Sequence, residues 1–92
     1  MIPLEPGRVV RSKAGRDAGR IFVVLQTVDD RHVAIADGDL RKVAAPKKKK
    51  HMHLIPKLEC FPSLVEKHQT GRLLDADVRK CLAGVGQTRK EG

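Results

Sequence analysis

The chain is 92 residues long and carries a net charge of +8, from 19 Lys and Arg against 11 Asp and Glu. That length allows one small domain with an appendage, and its longest apolar run, the five residues Ile21–Leu25, falls far short of the ~20 needed to span a bilayer as a helix. With no Trp, no Tyr and two Phe, the chain lacks both the stacking platforms that hold unpaired bases and the aromatic lining of a peptide groove.

Met1–Pro6 has neither the basic start nor the apolar core of a secretory signal. Two cysteines in no pairing motif fit a reducing compartment, so a cytoplasmic location is expected. Leu4–Gly7 reads as a lead-in that ends in a turn. A first strand is predicted over Arg8–Lys13 and a second over Arg20–Val28, because Val9-Val10 and Ile21-Phe22-Val23-Val24 are β-branched or aromatic. Between them lies Gly15-Arg16-Asp17-Ala18-Gly19-Arg20, whose glycines permit the positive φ of an exposed turn. Asp29-Asp30-Arg31 makes a polar turn, and His32–Ala36 forms a third strand with Val33 and Ile35 on one face. Asp37-Gly38 is a turn signal, after which Leu40–Ala44 is expected to return as a short fourth strand. Short strands at close spacing point to a small barrel over residues 1–45. A core of about 45 residues lies near the lower limit for independent stability.

Pro46 is read as the end of regular structure, and residues 46–62 as a basic extended arm. Residues 41–58 hold seven basic side chains and no acidic one, so seven of the eight net charges fall in that segment. Such a block repels itself, resists folding alone and suits a polyanion. Pro56 and Pro62 should keep the arm extended. Ser63-Leu64-Val65-Glu66 fits a capping box opening a short helix through Gln69, which Gly71 ends. A second helix is predicted from Asp75 to about Ala83 and stopped by Gly84. Residues 63–84 thus form a helical segment, and 85–92 a frayed, disordered tail.

Gly7, Val9-Val10, Gly15, Gly19-Arg20 and the apolar strand Ile21–Leu25 together resemble the KOW motif, a strand–loop–strand RNA-binding element of ribosomal proteins and transcription elongation factors. Gly19 would be the characteristic loop glycine. Ala18 departs from the pattern, since many members carry lysine there. Val33–Val43, the lysine run and His53-Leu54 extend the likeness to the small stand-alone KOW proteins of bacteria. Those are similar to the fourteen-e class of large-subunit ribosomal proteins. The resemblance covers residues 5–54 and implies an SH3-like barrel that acts on ribosomal RNA or another structured RNA. The fold expected is therefore mostly β with C-terminal α: a KOW-type SH3-like barrel, a basic arm, and one or two short helices.

Candidate RNA contacts follow from charge and loop geometry. Lys13, Arg16 and Arg20 cluster around the loop, where Gly15 and Gly19 let backbone N–H groups approach phosphates. Arg41, Lys42, Lys47, Lys48, Lys49 and Lys50 supply the arm, with His51 and His53 as further contacts that charge when phosphate raises their pKa. His51, His53, Cys60, His68 and Cys81 match no closed metal-site spacing, so neither metal nor cofactor is expected. Asp29-Asp30, Asp37 and Asp39 sit at predicted turns, where Asp accepts backbone hydrogen bonds. No nucleophile–base set stands near them, and neither catalysis nor a small-molecule substrate is expected. Partners would be structured RNA, with ribosomal proteins beside it, and no membrane. The alternative is a protein–protein adaptor docking on a ribosomal or transcription partner through the barrel and the apolar positions Leu64, Val65, Leu73, Leu74, Val78 and Leu82. Those residues would be core if packed on the sheet and a docking patch if exposed.

Overall fold

The computed structural model describes residues 3–85. Five strands come first: β1 (Arg8–Ser12), β2 (Ile21–Thr27), β3 (His32–Ala36), β4 (Lys47–Lys50) and β5 (Leu54–Cys60). A 3-10 turn, His51–His53, joins β4 to β5, and two helices follow, α1 (Pro62–Gln69) and α2 (Asp75–Ala83). The protein is mostly β: one five-stranded antiparallel sheet in the order β4-β3-β2-β1-β5, followed by two C-terminal helices.

β4 and β5 stand at opposite edges of this sheet, yet only three residues separate them in sequence. Laid flat, four inter-strand steps would put those edges about 19 Å apart. The four peptide steps from Lys50 to Leu54 span at most about 14 Å. The sheet therefore curls. Backbone bonds fix the 3-10 turn to both sides, with the His51 N–H donating to Arg31 O (2.8 Å) and the Lys13 N–H to His53 O (3.0 Å). No ladder joins β4 to β5 among the described residues, so the curled sheet is not closed.

Curling gives the sheet two buried faces. Val10, Phe22, Val24, Val33, Ile35 and Leu54 fill the inside of the curl. On the outer face Val9, Val23, Leu25 and Ala36 are covered by Leu64 of α1 and by Leu73, Val78, Leu82 and Val85 from α2 and its flanks. Strand β2 is thus buried on both sides, which is why Ile21-Phe22-Val23-Val24-Leu25 is an unbroken apolar run rather than an alternating one. Leu25 is accommodated by a register shift between Val24 and Gln26.

Several expectations need correction. Leu40–Ala44 forms no strand; the fourth strand is the lysine run itself, paired Lys50 to His32 through Lys47 to Ile35. Residues 46–62 are accordingly not an extended arm but β4, the 3-10 turn and β5. Charge repulsion does not prevent this. Alternate lysines on one face lie about 6.7 Å apart, which in water amounts to only ~0.6 kcal/mol per pair before salt screening. Each ladder hydrogen bond contributes about 1 kcal/mol, and lysine is a residue that natural sheets place on exposed edges. β5 tolerates Pro56 because it is the other edge strand. The α1 cap also differs. Phe61 is its N-cap and Pro62 opens the helix, so Ser63 lies inside it and makes no capping box. The helix ends at Gln69, and Gly71 takes the left-handed conformation beyond it (φ 73°). Helix α2 runs over Asp75–Ala83 as expected, with the Asp77 carboxylate accepting the Leu74 N–H at 3.0 Å. The predicted tail, apart from Val85, lies outside the described residues.

Candidate nucleic-acid interface

The β1–β2 loop is a tightly bonded structure. The Gly19 N–H donates to Ser12 O (2.7 Å) and the Ser12 N–H to Arg20 O (3.0 Å), which closes its base. Ala18 N–H to Gly15 O and Arg20 N–H to Asp17 O brace its interior. Gly15 (φ 77°) and Gly19 (φ 88°) supply the left-handed turns that other residues adopt only with strain. Asp17 is folded inward and is 2% exposed.

That buried carboxylate decides what Arg41 does. Asp17 Oδ2 accepts from Arg41 Nη2 at 3.1 Å and Nε at 3.3 Å, which ties the loop to the β3–β4 connection. Arg20 is engaged in the same manner. Its Nη2 lies 2.9 Å from Asp37 Oδ2 and 3.6 Å from Asp39 Oδ2. The hydrogen bond to Asp37 holds the Arg20 guanidinium above its ordinary range. Burial acts to push the Asp37 carboxyl up, but Arg20 and the Arg41 and Asp39 N–H groups outweigh it and hold the pKa low. Asp37 Oδ1 accepts those two N–H groups, and Asp29 Oδ1 accepts those of Arg31 and His32. Both are the turn roles expected of Asp.

Of the loop cations grouped by the sequence, Arg20 therefore points to carboxylates, while Lys13 and Arg16 are exposed with no ion-pair partner among the described residues. Lys42, Lys47, Lys48 and Lys50 are likewise exposed and unpaired there. Lys49 differs. It is half-buried, and its Nζ reaches across the curl to Ala14 O at 3.4 Å, beside Gly15. The structure thus brings the loop and the lysine strand together through Lys49. His51 and His53 lie on the 3-10 turn between them, both half-buried, and His51 Nε2 has no hydrogen-bond partner among the described residues.

Acidic and aromatic residues are disposed differently from these cations. Asp17 and Asp37 are internal counter-charges, a role that turn propensity alone does not reveal because their partners lie 24 and 17 residues away. Phe22 is buried inside the curl and Phe61 is half-buried against the outer core. Cys60 and Cys81 are half-buried free thiols, each pushed up chiefly by burial. Among the described residues there is no group of three or more His, Cys, Asp or Glu placed to hold a metal ion. No helix among them is long and apolar enough to cross a membrane. No protein-family model matches the chain, and no curated protein matches it.

Proposed function

We propose that this chain is an RNA-binding protein, ribosome- or translation-associated in the cytoplasm, that contacts structured RNA through the β1–β2 loop and the lysine-rich strand. We read its curled sheet as an SH3-like barrel of the KOW type. Support for that reading comes from the strand order and from the last strand returning beside the first after a single 3-10 turn.

One observation carries the functional reading. Asp17 and Asp37 beside the loop are consumed in internal pairs with Arg41 and Arg20, while Lys13, Arg16, Lys42, Lys47, Lys48 and Lys50 stand exposed without ion-pair partners among the described residues. A surface built from free cations, without exposed aromatic rings, has the chemistry of phosphate contact and of recognition by shape rather than by base stacking. The adaptor alternative rested on an exposed helical face. Leu64, Leu73, Val78 and Leu82 are instead buried in the core, which removes four of its six residues from a partner's reach.

The test is binding of the purified protein across a salt series to a structured ribosomal RNA fragment, a random single strand and duplex DNA. Preference for the structured RNA at physiological salt is expected, with Arg16→Glu weakening it. Weak binding of equal strength to all three, lost at physiological salt, would refute the reading.

A further inference from the structure

We propose that β4 is a preformed phosphate rail, in which Lys48 and Lys50 hold successive phosphates of one RNA strand along the sheet edge while Lys49 is committed to the fold. This rests on the RNA-binding reading above and specifies how the lysine run serves it.

Four consecutive lysines in a flexible arm would be equivalent. Four in a paired strand are not. The register of β4 against β3 fixes Lys47 opposite Ile35, Lys48 opposite Ala34, Lys49 opposite Val33 and Lys50 opposite His32. Side chains alternate across a strand, so Lys47 and Lys49 share the face of Val33 and Ile35, which is the inside of the curl. Lys49 is half-buried there, opposite Val33, with its ammonium on the Ala14 carbonyl. Lys48 and Lys50 take the opposite face, exposed and without an ion-pair partner among the described residues.

Two further features favour a phosphate chain as the occupant. Lys48 and Lys50 repeat at about 6.7 Å along the strand, the order of the spacing between successive phosphates of an extended nucleic-acid strand. Being an edge, β4 also leaves its outward backbone N–H groups without a ladder partner among the described residues, and such groups donate readily to phosphate oxygens. The row ends at a cleft lined by Lys50, Arg31, His51, Met52 and Asp30. Arg31 can extend the row by one cation, and Asp30 closes it to further anions. Because the backbone is already ordered, binding does not bear the entropic cost of folding an arm.

Single substitutions Lys48→Gln, Lys49→Gln and Lys50→Gln distinguish rail from arm. Each is titrated with a short oligouridylate over a salt series, and its urea midpoint is measured alongside. Lys48→Gln and Lys50→Gln should each reduce the slope of log affinity against log salt by about 0.7, the value for one phosphate of a single strand, with the midpoint unchanged. Lys49→Gln should leave the slope in place and lower the midpoint. Equal slope losses at all three positions would overturn the rail in favour of a flexible arm. Unchanged slopes at 48 and 50, with a loss at Arg16→Gln, would overturn the rail while the RNA reading stands. Absence of salt-dependent binding by the unsubstituted protein to the oligouridylate alone would overturn the rail, and its absence for the structured ribosomal RNA fragment as well would overturn both. Displacement of the oligouridylate by polyglutamate at equal charge would assign β4 to an acidic protein instead, which also overturns the proposal.

Discussion

Removing the Arg41 side chain tests whether the loop is held by charge. Asp17 is 2% exposed and Arg41 is 30% exposed, and the pair is held by two contacts to a single carboxylate oxygen. Asp17 Oδ1 has no hydrogen-bond partner among the described residues, so Arg41→Ala leaves a buried carboxylate with only the more distant charge of Arg20 acting on it. Breaking a fully buried pair in this way costs about 3–5 kcal/mol. Because Arg41 is partly exposed, water can reach part of the vacated site, and a loss of about 2–3 kcal/mol is expected. For a domain this small that is a large share of a total on the order of 5 kcal/mol. The chain has no Trp and no Tyr, so unfolding is followed by far-UV circular dichroism in urea. With a urea dependence of roughly 1 kcal/mol per molar, the midpoint should fall by about 2–3 M. Adding Asp17→Asn removes the stranded charge and should recover more than half of the loss. A midpoint shift under about 0.5 M for Arg41→Ala, or no recovery in the double variant, would refute the argument that this pair anchors the loop.

Two further outcomes are expected. Gly38→Ala should cost more than about 2 kcal/mol and Gly19→Ala only about 1, because both require left-handed backbone but a Cβ at Gly38 would overlap the Asp75 carbonyl whereas nothing lies within 4 Å of one at Gly19; equal urea midpoints for the two variants would contradict this. Acid should destabilise the protein. Asp29 is held down at about 2 by the Arg31 N–H and the His32 ring, Asp37 is held low by Arg20 and two N–H groups against its burial, and Asp77 by the Leu74 N–H and Lys67. Folded values below the unfolded ones mean that this stabilisation is complete above about pH 5 and is lost as pH falls toward the folded-state values. Asp37→Asn should lower stability at neutral pH and flatten its fall on acidification, and an unchanged profile from pH 5 to pH 3 would count against the Arg20–Asp37 pair.

What the sequence determined by itself is local. The β-branched runs set β1, β2 and β3 to within a residue or two, and the glycines fixed the turns that need positive φ. Asp75 and Gly84 bracketed α2. The apolar run Ile21–Leu25 was legible as a strand, while its burial on both faces came only with the curl and the helices. Tertiary structure decided the rest, and in each case the reason is a partner distant in sequence. A run of four lysines has no strand signal of its own; it becomes β4 because β3 needs a neighbour for its open ladder. Pro56 and Lys57 hide β5 from pattern reading, yet β1 takes that segment as its second neighbour across more than forty residues. Arg20 and Arg41 look like free cations in the sequence, as Lys13 and Arg16 do. Only the folding of Asp17 and Asp37 beneath the loop converts the first two into internal ties and leaves the other two exposed.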